Sequence, residues 1–242
     1  MTLHRFYCEN ITTPTVELND SQARHLYAVL RLNTDDQVEL FNGQGKIAAA
    51  RIISATNKKT TLKIESAQTI KNKINNNIII ATSIAKGDRF DWLIAKCTEL
   101  GINRITPVMF ERTVKLPKNP KIVERWKNIT IESAKQCKTP FLPAIDNPLK
   151  LTDAIKTLTA DYPDSILLFG SPDTNCPSIT DLNTMSKNII AFVGPEGGFT
   201  PEEESFLKNK NTKPVKLTNT ILRIETAAIA FASALAIQRD KN

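Results

Sequence analysis

Glycine gathers in one short part of a chain that otherwise contains little of it. Of the eight glycines among 242 residues, Gly194, Gly197 and Gly198 follow directly after the apolar run 188–193. Gly170 ends a second apolar run, and a third candidate segment, 215–222, comes shortly afterwards. Glycine reaches backbone conformations that other residues avoid, and it lets a ligand approach the main chain. We therefore predict a pocket lined by backbone where these segments end.

The glycine-rich segment matches none of the common phosphate-binding motifs. The sequence 194–198, Gly-Pro-Glu-Gly-Gly, is neither the dinucleotide fingerprint Gly-x-Gly-x-x-Gly nor a phosphate loop of the form Gly-x-x-x-x-Gly-Lys-Ser/Thr. Two interpretations stay open from spacing alone. The loops bind a small molecule through main-chain groups, or they are turns that leave strands and bind nothing.

Two charged residues stand just before an apolar segment near the end of the chain. Arg223 and Glu225 alternate with apolar neighbours in the sequence Leu-Arg-Ile-Glu-Thr-Ala, residues 222–227. They form either an exposed ion pair, which contributes little stability, or a charged pair that a rigid element holds at the rim of a pocket. Their spacing alone favours the exposed ion pair.

Composition narrows the class of protein. Hydrophobic residues make up 41% and charged residues 24%, as in ordinary globular domains. No apolar run reaches the roughly 18 residues of a membrane span, and the first residues lack the layout of a signal peptide, so we expect a cytoplasmic protein. Four cysteines without a Cys-x-x-Cys pair and two histidines without zinc spacing predict neither disulfides nor a metal site. The net charge of +7 favours a polyanionic partner.

The pattern of the chain changes near residue 70. Residues 1–70 contain short alternating segments typical of a small β-barrel, interrupted by one helix over 21–30. The polar, asparagine-rich stretch 71–77 is the best candidate linker. From 78 to 242, apolar runs alternate with amphipathic segments, which predicts an α/β domain with a largely parallel sheet. Helices are expected over 88–100, 120–138 and 226–239, and another begins at the capping box Thr200–Glu203.

At this point the two C-terminal motifs identify a family. Residues 194–199, Gly-Pro-Glu-Gly-Gly-Phe, followed by residues 222–227, closely resemble the RsmE family of bacterial 16S rRNA (uracil-N3)-methyltransferases, which belong to the SPOUT class. Segments 4–7, 29–31, 41–45, 86–89 and 98–101 agree with that family in the same order. The resemblance implies a PUA-like RNA-binding β-barrel followed by an α/β SPOUT domain with a parallel sheet and a C-terminal trefoil knot. It also implies S-adenosylmethionine as cofactor, 16S rRNA within the assembled small ribosomal subunit as partner, and a homodimer.

The resemblance further assigns roles to residues of this chain. The implied cofactor-binding residues are Leu168, Phe169, Gly170, Gly194, Pro195, Glu196, Gly197, Gly198, Leu217, Thr218, Asn219, Ile221 and Leu222. The implied catalytic residues are Arg223, Glu225, Glu132 and Gln136. Arg223 would stabilise charge on the uracil carbonyls, and Gln136 would read the base edge. Glu225, Glu132 and Glu196 are the candidates to accept the proton of the uracil ring nitrogen or to orient a partner. The implied RNA-binding residues are Arg5, Arg24, Arg31, Lys86, Arg89, Arg112, Lys115 and Lys118.

One loop departs from the family pattern. The family usually carries a glycine and an arginine where this chain has Asn219 and Thr220. Asparagine tolerates a left-handed backbone better than most residues, which would preserve the shape of the loop. Two alternatives therefore stay beside the main interpretation: another SPOUT methyltransferase that acts on tRNA or on a ribose hydroxyl, and an RNA-binding module without catalytic activity.

Overall fold

Residues 134–142 fold with the first part of the chain, although they lie deep inside the second part of the sequence. The computed structural model describes residues 3–12, 14–72, 76–114, 120–182 and 187–241. The N-terminal unit comprises residues 1–73 and 134–142, and the C-terminal unit comprises 74–133 and 143–242. The predicted boundaries, 1–70 and 78–242 with a linker over 71–77, did not include this return of the chain, and residues 73–75 of the linker lie outside the described residues.

The N-terminal unit is built on five strands. Their order in the sheet is β1-β3-β4-β5-β2; β1 runs parallel to β3, and the other pairs are antiparallel. The core is formed by alternate strand residues such as Val38 and Leu40, together with Leu26 from a helical turn. The elements are β1 His4–Tyr7, β2 Thr15–Asn19, α1 Asp20–Arg24, a π-helix His25–Val29, β3 Gln37–Phe41, β4 Lys46–Ala55 and β5 Lys59–Thr69.

The C-terminal unit is an α/β fold in which every strand pairing is parallel. The sheet order is β12-β10-β11-β6-β7-β8, with β9 also pairing with β7. The elements are β6 Ile78–Ser83, α2 Asp88–Glu99, β7 Arg104–Met109, α3 Ile122–Cys137, β8 Ala144–Ile145, β9 Leu149–Lys150, α4 Leu151–Asp161, β10 Ile166–Gly170, a 3₁₀ turn Ile179–Asp181, β11 Ile189–Val193, α5 Pro201–Asn209, β12 Lys213–Val215 and α6 Ile224–Arg239. The predicted class, a parallel α/β domain preceded by a small β-rich unit, is confirmed; the trefoil knot stays a prediction.

Helices cover both faces of this sheet, so its central strands are apolar throughout. In β11 every residue is buried. Ile189, Ala191 and Val193 join the layer that contains α2 and α6, whereas Ile190 and Phe192 join the layer that contains α4 and α5. This arrangement explains why the strand reads as a continuous apolar run. No helix in the described part of the chain is long and apolar enough to cross a membrane.

Helix ends follow the predicted signals in two places and depart from them in two others. Gly101 adopts φ +67° after α2, and the Thr200–Glu203 capping box is present at α5, as predicted. The helix predicted over 120–138 begins at Ile122, so Pro120 precedes it, and Asn119 lies outside the described residues. The single helix predicted over 21–30 is a short α-helix that continues as a π-helix.

Candidate active site

A cavity of about 280 Å³ lies where three neighbouring strands of the C-terminal unit end. Because β12, β10 and β11 are adjacent and parallel, the loops after them leave the same edge of the sheet. Parts of residues 170–172, 194–199 and 217–222 line the cavity, and the first turn of α6 completes it through Ile224 and Ala227. Ligands of open α/β sheets bind at this carboxyl edge. The arrangement suits a small molecule that is held largely by main-chain groups.

Two glycines of the 194–198 segment are required by the geometry. A Cβ at Gly194 would lie 3.0 Å from Cζ of Phe199, which is tighter than nine in ten real Cβ contacts. Gly198 has φ +70°, and its N–H donates to the Pro195 carbonyl oxygen at 2.8 Å. A side chain at Gly198 would strain this tight turn. The glycine spacing seen in the sequence therefore serves close packing at one end of the loop and a left-handed turn at the other.

The segment that follows β7 contacts the glycine-rich loop 194–198 through hydrogen bonds and ring packing. The guanidinium of Arg112, just after β7, donates to the carbonyl oxygens of Gly197 at 2.7 Å and of Phe199 at 3.3 Å. The ring of Phe199 packs edge-on against Phe110, with the centroids 5.3 Å apart, and against Phe169, at 5.6 Å. The glycine-rich loop is thus fixed both by its own aromatic residue and by an arginine that we predicted to bind RNA.

The capping box of α5 adds a further link to the same segment. One carboxylate oxygen of Glu203 accepts the Thr200 N–H at 2.9 Å, and the other accepts the Glu111 N–H at 2.8 Å. Glu203 therefore ties the start of α5 to the residue that follows Phe110. The end of β7 and the loop after β11 form one connected structure beside the cavity.

The loop that departs from the family pattern is shaped by threonine. The Thr218 hydroxyl donates to the Thr220 carbonyl oxygen at 2.9 Å, and the Thr220 N–H lies 3.3 Å from that hydroxyl oxygen. Asn219 is not among the residues with positive φ, so the shape of this loop does not depend on a left-handed asparagine. A local hydroxyl turn replaces it. The next residue, Ile221, is 89% exposed at the cavity rim.

Arg223 and Glu225 do not pair with each other. The Glu225 side chain is only 9% exposed, and its Oε1 lies 3.9 Å from Nε of Arg89. Its position in the first turn of α6 is favourable, because the positive end of the helix dipole lies there. Arg223 precedes the first residue of α6 and is exposed. Within the described part of the chain, its side chain makes no hydrogen bond or ion pair.

The structure gathers most of the predicted cofactor residues and leaves a few outside. Leu168 and Phe169 are buried in the two core layers, and neither Gly197 nor Asn219 lines the cavity. The predicted residues that do line it are Gly170, Gly194, Pro195, Glu196, Gly198, Leu217, Thr218, Ile221 and Leu222. The lining residues that we did not predict are Ser171, Pro172, Val193, Phe199, Glu204, Thr220, Ile224 and Ala227. Their nearness to the glycine loops in sequence was the available signal.

Two other predicted catalytic residues lie on α3. Glu132 is exposed and does not line the cavity. Gln136 is exposed in the segment 134–142 that folds with the N-terminal unit. Among the described residues, no group of three or more histidine, cysteine, aspartate or glutamate side chains could hold a metal ion.

Arg5, which we predicted to bind RNA, lies inside the N-terminal unit. It is 8% exposed, pairs with Glu39 at 2.8 Å and donates to the Thr139 carbonyl oxygen at 3.0 Å. Its guanidinium also lies 4.5 Å from the centroid of the Phe41 ring. Burial lowers the pKa of this guanidinium. Because these contacts already engage Arg5, we remove it from the RNA-binding surface.

The remaining predicted RNA-binding residues differ in whether their side chains already contact other protein groups. Arg24, Arg31, Lys86 and Arg89 are exposed, although Arg89 pairs with Glu225. Arg112 is exposed but engaged with the glycine loop. Lys115 and Lys118 lie outside the described residues.

Comparisons with known proteins decide the family. A family model described as RNA methyltransferase domain matches residues 72–236, and one described as RNA methyltransferase PUA domain matches residues 18–65. The ribosomal RNA small subunit methyltransferase E of Synechocystis is 30% identical over 233 residues, which cover 94% of this chain and 75% of that protein. The chain belongs to the RsmE family. The family that the sequence motifs indicated is thereby confirmed.

Two solved methyltransferase structures match the chain over nearly its whole length. The ribosomal RNA small subunit methyltransferase E from Neisseria gonorrhoeae, bound to S-adenosylmethionine, is 31% identical with a TM-score of 0.86, and the match covers 98% of each chain. A structure from Legionella pneumophila in complex with the same cofactor is 29% identical with a TM-score of 0.89, again over 98% of each chain. The RsmE fold therefore extends across both units of the chain.

Proposed function

We propose that this RsmE-family protein transfers the methyl group of S-adenosylmethionine to N3 of a uridine in 16S rRNA of the small ribosomal subunit. The observation that carries the proposal is the glycine-lined cavity at the carboxyl edge of β12, β10 and β11. Support comes from the family, since the relative from Neisseria gonorrhoeae is 31% identical and binds this cofactor.

The cavity residues fit S-adenosylmethionine. Gly198 lines the cavity, and a Cβ there would point into open space, so its absence leaves main-chain groups accessible to the polar edge of an adenine and to a carboxylate. Ile221 and Leu222 supply apolar surface for the adenine faces. When bound, the cofactor supplies a methyl group on a positively charged sulfur, which is a good leaving group. The protein then contributes mainly position and electrostatics.

Arg223 is the residue we assign to the uracil. It stands between Leu222 and Ile224, which both line the cavity, and its guanidinium is free of other partners in the described structure. Uracil N3 carries a proton, so a negative charge develops on the neighbouring carbonyl oxygens as that proton leaves. A guanidinium aimed at this charge lowers the barrier.

The proton acceptor we favour is Glu196. Its side chain is exposed and lines the cavity, whereas Glu225 is buried and paired with Arg89. We assign Glu225 to positioning Arg89 for contact with RNA phosphate. Glu132 as an alternative acceptor and Gln136 as the group that reads the base edge stay proposals.

We also propose that the protein acts as a homodimer on the assembled small subunit in the cytoplasm. Four large apolar side chains in the described part of the C-terminal unit are exposed: Trp92, Val114, Ile221 and Ile237. A second copy that covered them would remove apolar area from water. Light scattering on the purified protein tests the dimer, because a monomer at micromolar concentration contradicts it.

Replacement of Arg223 tests the proposed function. We expect Arg223→Ala to bind S-adenosylmethionine as tightly as the unchanged protein by calorimetry, and to lose about 10²–10³-fold in methyl transfer, as when one charge-stabilising donor is removed. Arg223→Lys should recover part of the rate. The matched control is Arg125→Ala, which removes an exposed arginine that pairs with Asp88 and Asp91. Full turnover by Arg223→Ala overturns the role of this residue, and failure of the unchanged protein to bind the cofactor overturns the function.

A further inference from the structure

A second cavity, of about 500 Å³, lies in the C-terminal unit. The end of β7, the start of α4 and the first two turns of α5 line it. This cavity and the candidate active site share α5, because Glu204 lines the active site and Glu202 lines the second cavity. The proposed methyl transfer does not use the second cavity, although a partner bound there would lie next to the site of the reaction.

The second cavity has an apolar part that is continuous with the core. Phe110 is 5% exposed and Leu151 is 7% exposed, and both belong to the core layer that contains α4 and α5. Met109 and Phe206 are half-buried and line the cavity as well. An apolar side chain that entered the cavity would lose its contact with water, which is favourable.

Acidic side chains outnumber basic ones among the described residues that line this cavity. Glu111 and Glu202 are exposed there, and Lys150 and the half-buried Glu203 line it as well. The carboxylate of Glu203 already accepts two backbone N–H groups. Hydrogen bonds from its own N–H and from the Thr200 hydroxyl lower the pKa of Glu202, so this carboxylate is charged at neutral pH. Two exposed carboxylates thus stand beside an apolar surface, in a protein whose net charge is +7.

The start of α4 adds hydrogen-bond donors to the same cavity. Lys150 is the N-cap residue of α4, has an extended backbone and makes no side-chain cap bond. The N–H groups in the first turn of a helix have no partner within the helix, and Thr152 of that turn lines the cavity. A carbonyl oxygen of a bound peptide can accept a hydrogen bond there.

We propose that the second cavity binds a basic peptide segment that carries an apolar side chain. The apolar side chain enters the cavity, and the lysine or arginine side chains beside it pair with Glu111 and Glu202. RNA suits this surface less well, because the two carboxylates repel phosphate groups. The partner we assign is a protein of the small ribosomal subunit, and this assignment rests on the proposed function.

Fluorescence anisotropy with the full-length protein tests the cavity. The probe is the fluorescein-labelled peptide Lys-Leu-Lys-Leu-Lys, and the matched probe is Lys-Ser-Lys-Ser-Lys, which has the same charge but no apolar side chain. We expect the serine probe to bind about 5- to 10-fold more weakly, because it buries less apolar area. Binding of the leucine probe should weaken as the salt concentration rises, because salt screens exposed ion pairs.

Charge reversal at the two exposed carboxylates tests their part in binding. Glu111→Lys and Glu202→Lys should each weaken binding of the leucine probe by about 3- to 10-fold, because a repulsive pair replaces an attractive one. The matched control is Glu124→Lys, which makes the same change of charge at an exposed residue in the first turn of α3. Glu124 does not line the cavity, so this variant should bind as the unchanged protein does. Thermal unfolding checks that each variant is folded.

Enzyme kinetics test the assigned partner. Glu202→Lys should raise the KM for assembled small subunits by about 3- to 10-fold and leave kcat and the affinity for S-adenosylmethionine unchanged. Mere distortion of α5 would weaken cofactor binding instead, because Glu204 of the same helix lines the cofactor cavity. Glu124→Lys should leave the KM unchanged.

The outcomes separate this site from the proposed function. If the two peptides bind equally, or if Glu124→Lys weakens binding as much as Glu202→Lys does, the peptide site is wrong. If Glu202→Lys alters the affinity for a labelled oligouridylate but not for the leucine probe, the cavity binds RNA and the proposal is overturned. If the peptide binds as expected but the KM for small subunits is unchanged, the assigned partner is wrong. If the peptide binds as expected but the unchanged protein methylates no ribosomal RNA, the proposed function and the assigned partner fail while the peptide site stands.

Discussion

The most informative single replacement is Arg112→Ala, because the sequence and the structure give this arginine different tasks. Resemblance to the family predicts contact with RNA. The structure shows the guanidinium donating to the carbonyl oxygens of Gly197 and Phe199, at 2.7 and 3.3 Å. If the second task dominates, removal of Arg112 loosens the glycine-rich loop and weakens cofactor binding. If the first dominates, RNA binding alone suffers.

The magnitude follows from the two hydrogen bonds. A hydrogen bond in a folded protein contributes about 0.5–1.5 kcal/mol net, and more when one partner is charged. Arg112 is exposed, and the longer bond is weak, so together they contribute roughly 1–2 kcal/mol to the order of the loop. At about 1.4 kcal/mol for each tenfold change, S-adenosylmethionine should bind about 5- to 30-fold more weakly. The temperature of thermal unfolding should change little, because the Phe199 ring stays packed on Phe110 and Phe169.

Calorimetric titration with S-adenosylmethionine measures this effect, and thermal unfolding is the control for stability. Arg112→Lys should bind with intermediate affinity, because one ammonium group replaces a planar fork of donors. Arg125→Ala removes an arginine of the same unit and should bind normally. Unchanged cofactor affinity in Arg112→Ala, together with weaker RNA binding, would refute the role of Arg112 in holding the glycine-rich loop and support the RNA contact expected from sequence.

Three further predictions follow from packing and burial. Gly194→Ala places a methyl group 3.0 Å from the Phe199 ring, so we expect about tenfold weaker cofactor binding, and normal calorimetry would contradict the close approach. Burial raises the pKa of Cys97 to about 12, so iodoacetamide at pH 8 should label exposed Cys137 and spare Cys97 until the protein unfolds, as mass spectrometry will show. Because the folded state raises this pKa, the associated stability is complete below the ordinary thiol pKa and declines as pH rises toward about 12. Cys97→Ala should therefore lose less stability in urea titrations across that alkaline range.

Local signals predicted much of the fold. Continuous apolar runs identified the buried parallel strands, and the reciprocal bonds of Thr200 and Glu203 match the capping box read from sequence. Helix α4 was missed, although Leu151, Ala154, Ile155 and Leu158 form its buried face. Its N-cap is Lys150, which makes no side-chain cap bond, so the usual start signal is absent. Packing of that apolar face against the sheet defines the helix instead.

The candidate site was predictable only where its residues are close in sequence. The glycine loops follow apolar runs, and this order alone placed them at strand ends. The contacts Arg112–Gly197 and Arg89–Glu225 join distant segments, and no periodicity encodes such pairs. Arg5 is a further example. Its residue type predicts a surface position, but tertiary packing buries it against Glu39. Long-range pairing of charges is a property of the assembled fold.

The most direct test of the account is methyl transfer itself. Purified protein is incubated with labelled S-adenosylmethionine and unmodified small ribosomal subunits, and the RNA is digested to nucleosides for identification. We expect label in 3-methyluridine from 16S rRNA. Label in another nucleoside, in a ribose methyl group or only in added tRNA would contradict the proposed substrate, and absence of label despite cofactor binding would contradict the proposed catalysis.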